Sequence, residues 1–170
     1  MGRIITVVFA ITYLYVGILA KSLPFHNCNS DFEIHDVSVE PCQSDGEWCP
    51  LVRGKEVSIS ITFTAKTAIP RLNAVVHGII QGGPPMPFPI NQPDACTDSG
   101  LDCPLEEGQR YIYTQTIPVQ ATFPKLEVLV RWQLHRRRRR GQRSIGVGRT
   151  RKPPVCVIIN TRIMDESDLA

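Results

Sequence analysis

The stretch LEVLVRWQL, residues 126–134, alternates apolar and polar side chains along most of its length. In an extended chain one face would carry Leu126, Val128, Val130, Trp132 and Leu134. VSISITFT, residues 57–64, has the same period of two, with Val57, Ile59, Ile61 and Phe63 on its apolar face. This period is typical of a strand with one buried face. The two stretches therefore predict half-buried β-strands.

The rest of the chain predicts more strands and no helix. Weaker alternation marks residues 34–39, 74–81, 111–116 and 155–163. No window has a helical apolar stripe, and prolines and glycines separate the candidate strands. Short strands joined by turn-forming residues favour an all-β sandwich built as one domain.

A proline-rich stretch, GGPPMPFPI, lies at residues 82–90. Proline lacks the backbone donor that a sheet ladder uses, so the stretch is predicted to be a loop. It nevertheless carries Met86, Phe88 and Ile90, which are unfavourable in water. We therefore expect this loop to cover an apolar part of the protein.

Residues 1–20 have the pattern of a secretory signal peptide. Arg3 precedes a long apolar run, and the small residues Ala20 and Ser22 suit a cleavage site. The alternative, a membrane anchor, is less favoured because the run is shorter than the roughly 20 residues that span a bilayer. The sequence predicts export, with residues 21–170 as the mature domain.

Six cysteines suit an oxidising compartment and predict three disulfides. Cys42 with Cys49 and Cys96 with Cys103 share one short spacing, so local pairing is the simplest arrangement. It would leave Cys28 to join Cys156. About 15 connectivities are possible for six cysteines, so the spacing alone does not decide among them.

The sequence holds no pattern of catalytic or metal-binding residues. The four histidines, His26, His35, His77 and His135, lack metal-motif spacing, and neither a nucleophile elbow nor a phosphate-binding glycine loop occurs. We predict a protein that is not an enzyme, with no catalytic residue, metal or cofactor. His77 lies in the apolar stretch AVVHGII and is predicted to be structural, with its ring hydrogen-bonded.

A large set of aromatic residues is predicted to point inward from the strands and loops. Its members are Phe63, Phe88, Tyr111, Tyr113, Phe123 and Trp132. They could fill one thin core or line a cavity, and the pattern alone favours filling.

Three stretches resemble the ML lipid-recognition family, and especially its sterol-transfer members. They are VSVEPC with CPLVRGKEVSISITFT, AVVHGIIQGGPPMPFPINQPDAC, and CPLEEGQRYIYTQTIPVQATFPKLEVLVRWQL. The resemblance runs from Cys28 to about Leu134. It implies an immunoglobulin-like sandwich of about seven strands with a lipid cavity between the sheets, and it implies the disulfide pairing given above.

The resemblance also implies a site and an activity. The residues that match those guarding the pocket mouth are Phe88, Val119 and Phe123 with Pro124. At Phe123, phenylalanine stands where the family usually has tyrosine. The predicted interior residues are Phe63, Tyr113, Val130 and Trp132, with Met86 added from the proline-rich loop. The aromatic set would then line a cavity.

The resemblance implies a secreted or lysosomal monomer that binds a sterol or related lipid. Such a protein would deliver the lipid to a membrane or to a membrane acceptor protein, touching the membrane surface transiently. The alternative is an innate-immune recognition protein that binds bacterial or other amphiphilic lipids.

The sequence departs from the family pattern after WQLH. Residues 136–152 carry nine basic and no acidic side chains, although the whole chain has a net charge of +3. Three interpretations of residues 136–154 stay open: a basic loop that grips anionic headgroups, a processing site, or an error in the gene sequence. Nucleic acid is not an expected partner of an exported protein.

Overall fold

The computed structural model describes residues 23–42, 48–137 and 152–169. The predicted signal peptide and most of the basic segment lie outside these residues. The described residues form nine strands, followed by a short 3₁₀ turn at Glu166–Leu169. The strands are β1 (Phe25–Asn27), β2 (Glu33–Glu40), β3 (Cys49–Val52), β4 (Glu56–Thr64), β5 (Leu72–Ile79), β6 (Met86–Phe88), β7 (Arg110–Pro118), β8 (Leu126–Arg136) and β9 (Val155–Met164).

The strands form two sheets, which confirms the predicted all-β, immunoglobulin-like sandwich. One sheet has the order β2-β4-β7, and the other has the order β1-β9-β8-β5-β6. Strand β3 runs parallel to β9, beyond the part of β9 that pairs with β1. The number of strands exceeds the expected seven partly because it includes β1 and β6, two edge strands of only 3 residues each.

The core lies between the two sheets, where the predicted apolar faces meet. Ile61 and Phe63 of β4 are completely buried, as is Leu134 of β8, and Trp132 is 1% exposed. Residues paired directly across antiparallel strands share a face of the sheet. Tyr113, opposite Ile61, therefore points into the same core.

The proline-rich stretch is partly a strand, so the loop prediction is wrong at Met86–Phe88. These residues pair with β5, with Phe88 opposite Val76 and Pro87 opposite His77. Proline is tolerated there because β6 is an edge strand, whose outer side needs no backbone donor. Before it the chain turns through Gly82, whose φ of 74° favours glycine.

The three predicted disulfides are confirmed, and all six cysteines are paired. Cys28–Cys156 joins residues 128 positions apart, whereas Cys42–Cys49 and Cys96–Cys103 each join residues 7 apart. Arg136, the first residue of the basic segment, is also the last residue of β8. Its guanidinium donates to Asp31 at 2.7 Å, so it belongs to the folded sandwich.

Candidate functional site

Phe88 and Phe123, two of the predicted mouth residues, are in contact. Phe88 ends strand β6 and Phe123 lies in the loop between β7 and β8, which we call the mouth loop (residues 119–125). Their ring centroids are 5.8 Å apart with an interplanar angle of 71°. This edge-to-face geometry is favourable for aromatic pairs. Both rings are half-buried against the inter-sheet core, so they cover its apolar interior at an edge of the sandwich.

The mouth loop begins at a fixed point, the buried residue Val119. The Gly54 amide donates to the Val119 carbonyl at 2.7 Å, and the Val119 amide donates to the Lys55 carbonyl at 2.8 Å. The turn after β3 therefore holds the start of the loop by two backbone bonds. Within the loop the Phe123 amide donates to the Gln120 carbonyl at 3.1 Å, while Pro124 is exposed to solvent.

A cluster of charged residues holds the other end of the mouth loop. Arg53 donates to both carboxylate oxygens of Asp165 at 2.7 Å and to the Phe123 carbonyl at 3.2 Å. Lys125 lies 3.2 Å from both Asp165 and Asp168. This cluster could not be predicted from the sequence, because no motif marks it and Arg53 is 112 positions from Asp165.

The hydrogen bonds of this cluster shift the pKa values of its carboxylates downward. Bonds from Arg53, then Lys125, lower the pKa of Asp165. For Asp168 the main cause of the lowered pKa is the backbone amide of Asp165, followed by Lys125. Both carboxylates therefore stay charged to a more acidic pH than isolated aspartates do.

The predicted interior residues lie together between the sheets, where their rings pack closely. The ring centroids of Tyr113 and Trp132 are 6.2 Å apart. The Phe63 ring centroid lies 5.9 Å from that of Phe32 and 6.1 Å from that of Tyr111. Phe63 and Tyr113 are completely buried. In this structure these rings fill the core, so lining a lipid cavity stays a prediction that requires them to separate.

Two polar groups lie within this otherwise apolar interior. The Tyr113 hydroxyl donates to the Gln115 side-chain oxygen at 3.2 Å, and burial raises the pKa of Tyr113. The indole nitrogen of Trp132 is also buried, and it lies close enough to Tyr113 to lower the pKa of that hydroxyl, against the larger effect of burial. The interior therefore contains polar groups as well as apolar surface.

The remaining predicted residues lie nearer the surface. Val130 is partly buried against the core, opposite Gly78. Met86 is 52% exposed on β6, so it lies at the rim and not in the interior. A groove of about 380 Å³ lies elsewhere, lined by Pro50 and Val57 among others, and contains none of the predicted site residues.

His77 belongs to a basic cluster on the outer face of the larger sheet. Arg131 lies directly opposite His77, and His135 follows on the same face of β8. The His77 Nδ1 and Arg131 Nε atoms are buried without a partner among the described residues. The predicted hydrogen bonding of the His77 ring is therefore not found at Nδ1 among the described residues, where the residue directly opposite is the cation Arg131. Within the described ranges no group of His, Cys, Asp and Glu could hold a metal ion.

The outer-face cluster should make the protein less stable in acid. Burial, then the neighbouring charges of His77 and Arg131, lower the pKa of His135. Unfolded histidine has a pKa of about 6.5, so the unfolded state gains protons first and stability falls as the pH drops below that value. We expect His135→Gln to lose less free energy of unfolding than wild type between pH 7 and pH 5 in urea titrations. Equal losses in wild type, His135→Gln and the exposed control His26→Gln would exclude this contribution.

Several known proteins are similar in sequence to this chain. The ML domain family model matches residues 22–142. The chain is 39% identical over 133 residues to the bovine NPC intracellular cholesterol transporter 2, spanning 78% of this chain and 87% of that protein. It is 42% identical over 118 residues to homolog a of that transporter from Drosophila melanogaster, spanning 69% and 79% of the two chains.

A solved structure has the same fold. The crystal structure of a Niemann-Pick type C2 protein from the Japanese carpenter ant superposes with a TM-score of 0.70 at 24% identity. The similarity covers 84% of this chain and 100% of the ant protein. The sandwich and its strand arrangement are therefore those of a known fold.

Proposed function

Since the chain belongs to the ML domain family, we propose that it binds a sterol between its two sheets and transfers it between membranes or to an acceptor protein. The observation that carries this proposal is the contact of Phe88 with Phe123, which covers the apolar inter-sheet core at one edge. The names of the bovine and fly relatives indicate cholesterol as the class of ligand.

The proposed site has a mouth and an interior. Phe88, Val119 and Phe123 guard the mouth, with Pro124 and Met86 at its rim, and Phe63, Tyr113, Val130 and Trp132 line the interior once the sheets part. An apolar ligand gains about 25 cal/mol for each Å² of apolar surface removed from water. Binding therefore needs apolar contact and shape, and no catalytic group takes part.

The identity of the lipid is tested by mass spectrometry of the secreted protein and of the lipid extracted from it. The proposal expects a sterol at close to one molecule per chain. A phosphorylated lipid in its place would contradict the sterol assignment and favour the immune-recognition alternative. Protein that carries no lipid and takes up none when mixed with sterol would contradict both functions.

The affinity for a neutral sterol should depend little on ionic strength. Arg136 and Arg137, the described arginines of the basic segment, are already paired with Asp31 and Asp94. Salt weakens contacts between exposed charges, whereas apolar burial is not screened. We expect the affinity for dehydroergosterol, a fluorescent sterol, to change less than about twofold between 50 mM and 500 mM salt. A loss of affinity of tenfold or more would indicate that charged groups hold the ligand.

We also propose an exported monomer, with the lysosomal lumen as a second location. The support for export is the three disulfides, which suit an oxidising compartment. Separately, no helix among the described residues is long and apolar enough to cross a bilayer. The proposed partners are the sterol, a membrane acceptor protein and, transiently, the membrane surface itself.

A further inference from the structure

The mouth loop is held at both ends by one short segment of the chain. Gly54 and Lys55 bond the backbone of Val119, and the side chain of Arg53 bonds the Phe123 carbonyl. Between these anchors the loop depends on its own Gln120–Phe123 turn. The position of the Phe123 ring therefore depends on where the turn formed by residues 53–55 places the loop.

Arg53 is itself held firmly in place. Its backbone amide donates to the Met164 carbonyl at 2.9 Å, which extends the parallel pairing of β3 with β9. Its guanidinium bonds both oxygens of Asp165, and its side chain is only 27% exposed. A bidentate hydrogen-bonded pair of this kind fixes the plane of the guanidinium. The remaining nitrogen is thereby aimed at the Phe123 carbonyl.

From these contacts we propose that Arg53 is a positioning residue that holds the mouth loop so that the Phe123 ring stays against Phe88 and limits passage of the ligand. The role of Phe123 as a gate rests on the proposed function. Arg53 does not touch the interior, so it affects the rate of passage more than the affinity. Asp165 orients Arg53, and Lys125 bonds the same carboxylate from within the loop.

Arg53→Met removes the charge and the donors but keeps the length of the side chain. Release of dehydroergosterol to phosphatidylcholine vesicles should become about five- to tenfold faster, as expected for the loss of one hydrogen bond of ordinary net strength. The free energy of unfolding is measured beside the release rate in urea titrations, because a bidentate arginine–carboxylate bond also contributes to the stability of the fold. Arg71→Met is the matched control, since Arg71 also pairs with an aspartate, Asp94, but does not contact the mouth loop.

A double-mutant cycle shows whether Arg53 acts through Phe123. In a Phe123→Ala background there is no ring to position, so adding Arg53→Met should not accelerate release further. Equal acceleration in both backgrounds would overturn the proposal, and so would a release rate in Arg53→Met equal to that of wild type and Arg71→Met.

Hydrogen–deuterium exchange tests the same inference without a ligand. In Arg53→Met the backbone amides of Val119 and Phe123 should exchange about five- to tenfold faster than in wild type or Arg71→Met, because opening of the loop sets their exchange rate. Unchanged exchange would overturn the positioning role. Failure of wild type to bind the sterol would instead overturn the proposed function, so the two failures are distinguishable.

Discussion

Replacing Phe88 with aspartate is expected to abolish sterol binding while leaving the fold intact. The Phe88 ring packs against Phe123 at 5.8 Å over the apolar interior. A carboxylate there would have to be desolvated beside the ligand without a partner, at a cost of several kcal/mol. Affinity for dehydroergosterol should therefore fall at least ~100-fold. The measurement is a fluorescence titration of the sterol with purified protein.

The fold should tolerate this change because Phe88 is half-buried and ends an edge strand of 3 residues. Ile112→Asp is the matched control, since Ile112 is 56% exposed on the outer face of β7. It introduces the same charge away from the mouth and should bind the sterol as wild type does. Phe123→Asp should lose binding as Phe88→Asp does. Wild-type affinity in Phe88→Asp would show that Phe88 is not at the mouth.

The regular strands could be predicted from sequence because their side chains alternate cleanly. Residues 57–64 and 126–134 each lie within a single observed strand, β4 and β8, and begin within one residue of its start. Strand β3 was missed because the sequence Cys-Pro-Leu-Val has no alternation, and its first 3 residues are all buried. A stretch of four residues that includes a proline does not distinguish a strand from a loop. Strand β6 was missed because its tolerance of proline depends on its position at the edge of the sheet.

The mouth aromatics and the charged cluster differ in how far sequence could reveal them. Phe88 and Phe123 stand in two stretches that resemble a known family, and the resemblance predicted both as mouth residues independently of their contact. Arg53 and Asp165 lie 112 positions apart and meet only because β3 runs parallel to β9. That pairing depends on the whole topology of the sheet. The contact of His77 with Arg131 likewise follows from the register between β5 and β8.

Removing the disulfide between Cys28 and Cys156 is expected to be the most destabilising change to a single crosslink in this protein. The bond joins residues 128 positions apart and ties the segment after β1 to the start of β9. On the chain-entropy model, a closed loop of this length contributes about 5 kcal/mol to stability by restricting the unfolded chain. Cys28→Ala with Cys156→Ala should therefore lower the free energy of unfolding by about 4–5 kcal/mol in urea titrations.

The disulfide between Cys96 and Cys103 provides the matched control for this prediction. Its residues are only 7 positions apart, so the same model gives a contribution of about 2–3 kcal/mol. Both double variants remove two sulfur atoms and leave no free thiol, which isolates the effect of loop length. If the two variants lose equal stability, restriction of the unfolded chain is not the main contribution of the long crosslink. In that case the local contacts of Cys156, whose backbone bonds Cys28 and Ser30, would account for its effect.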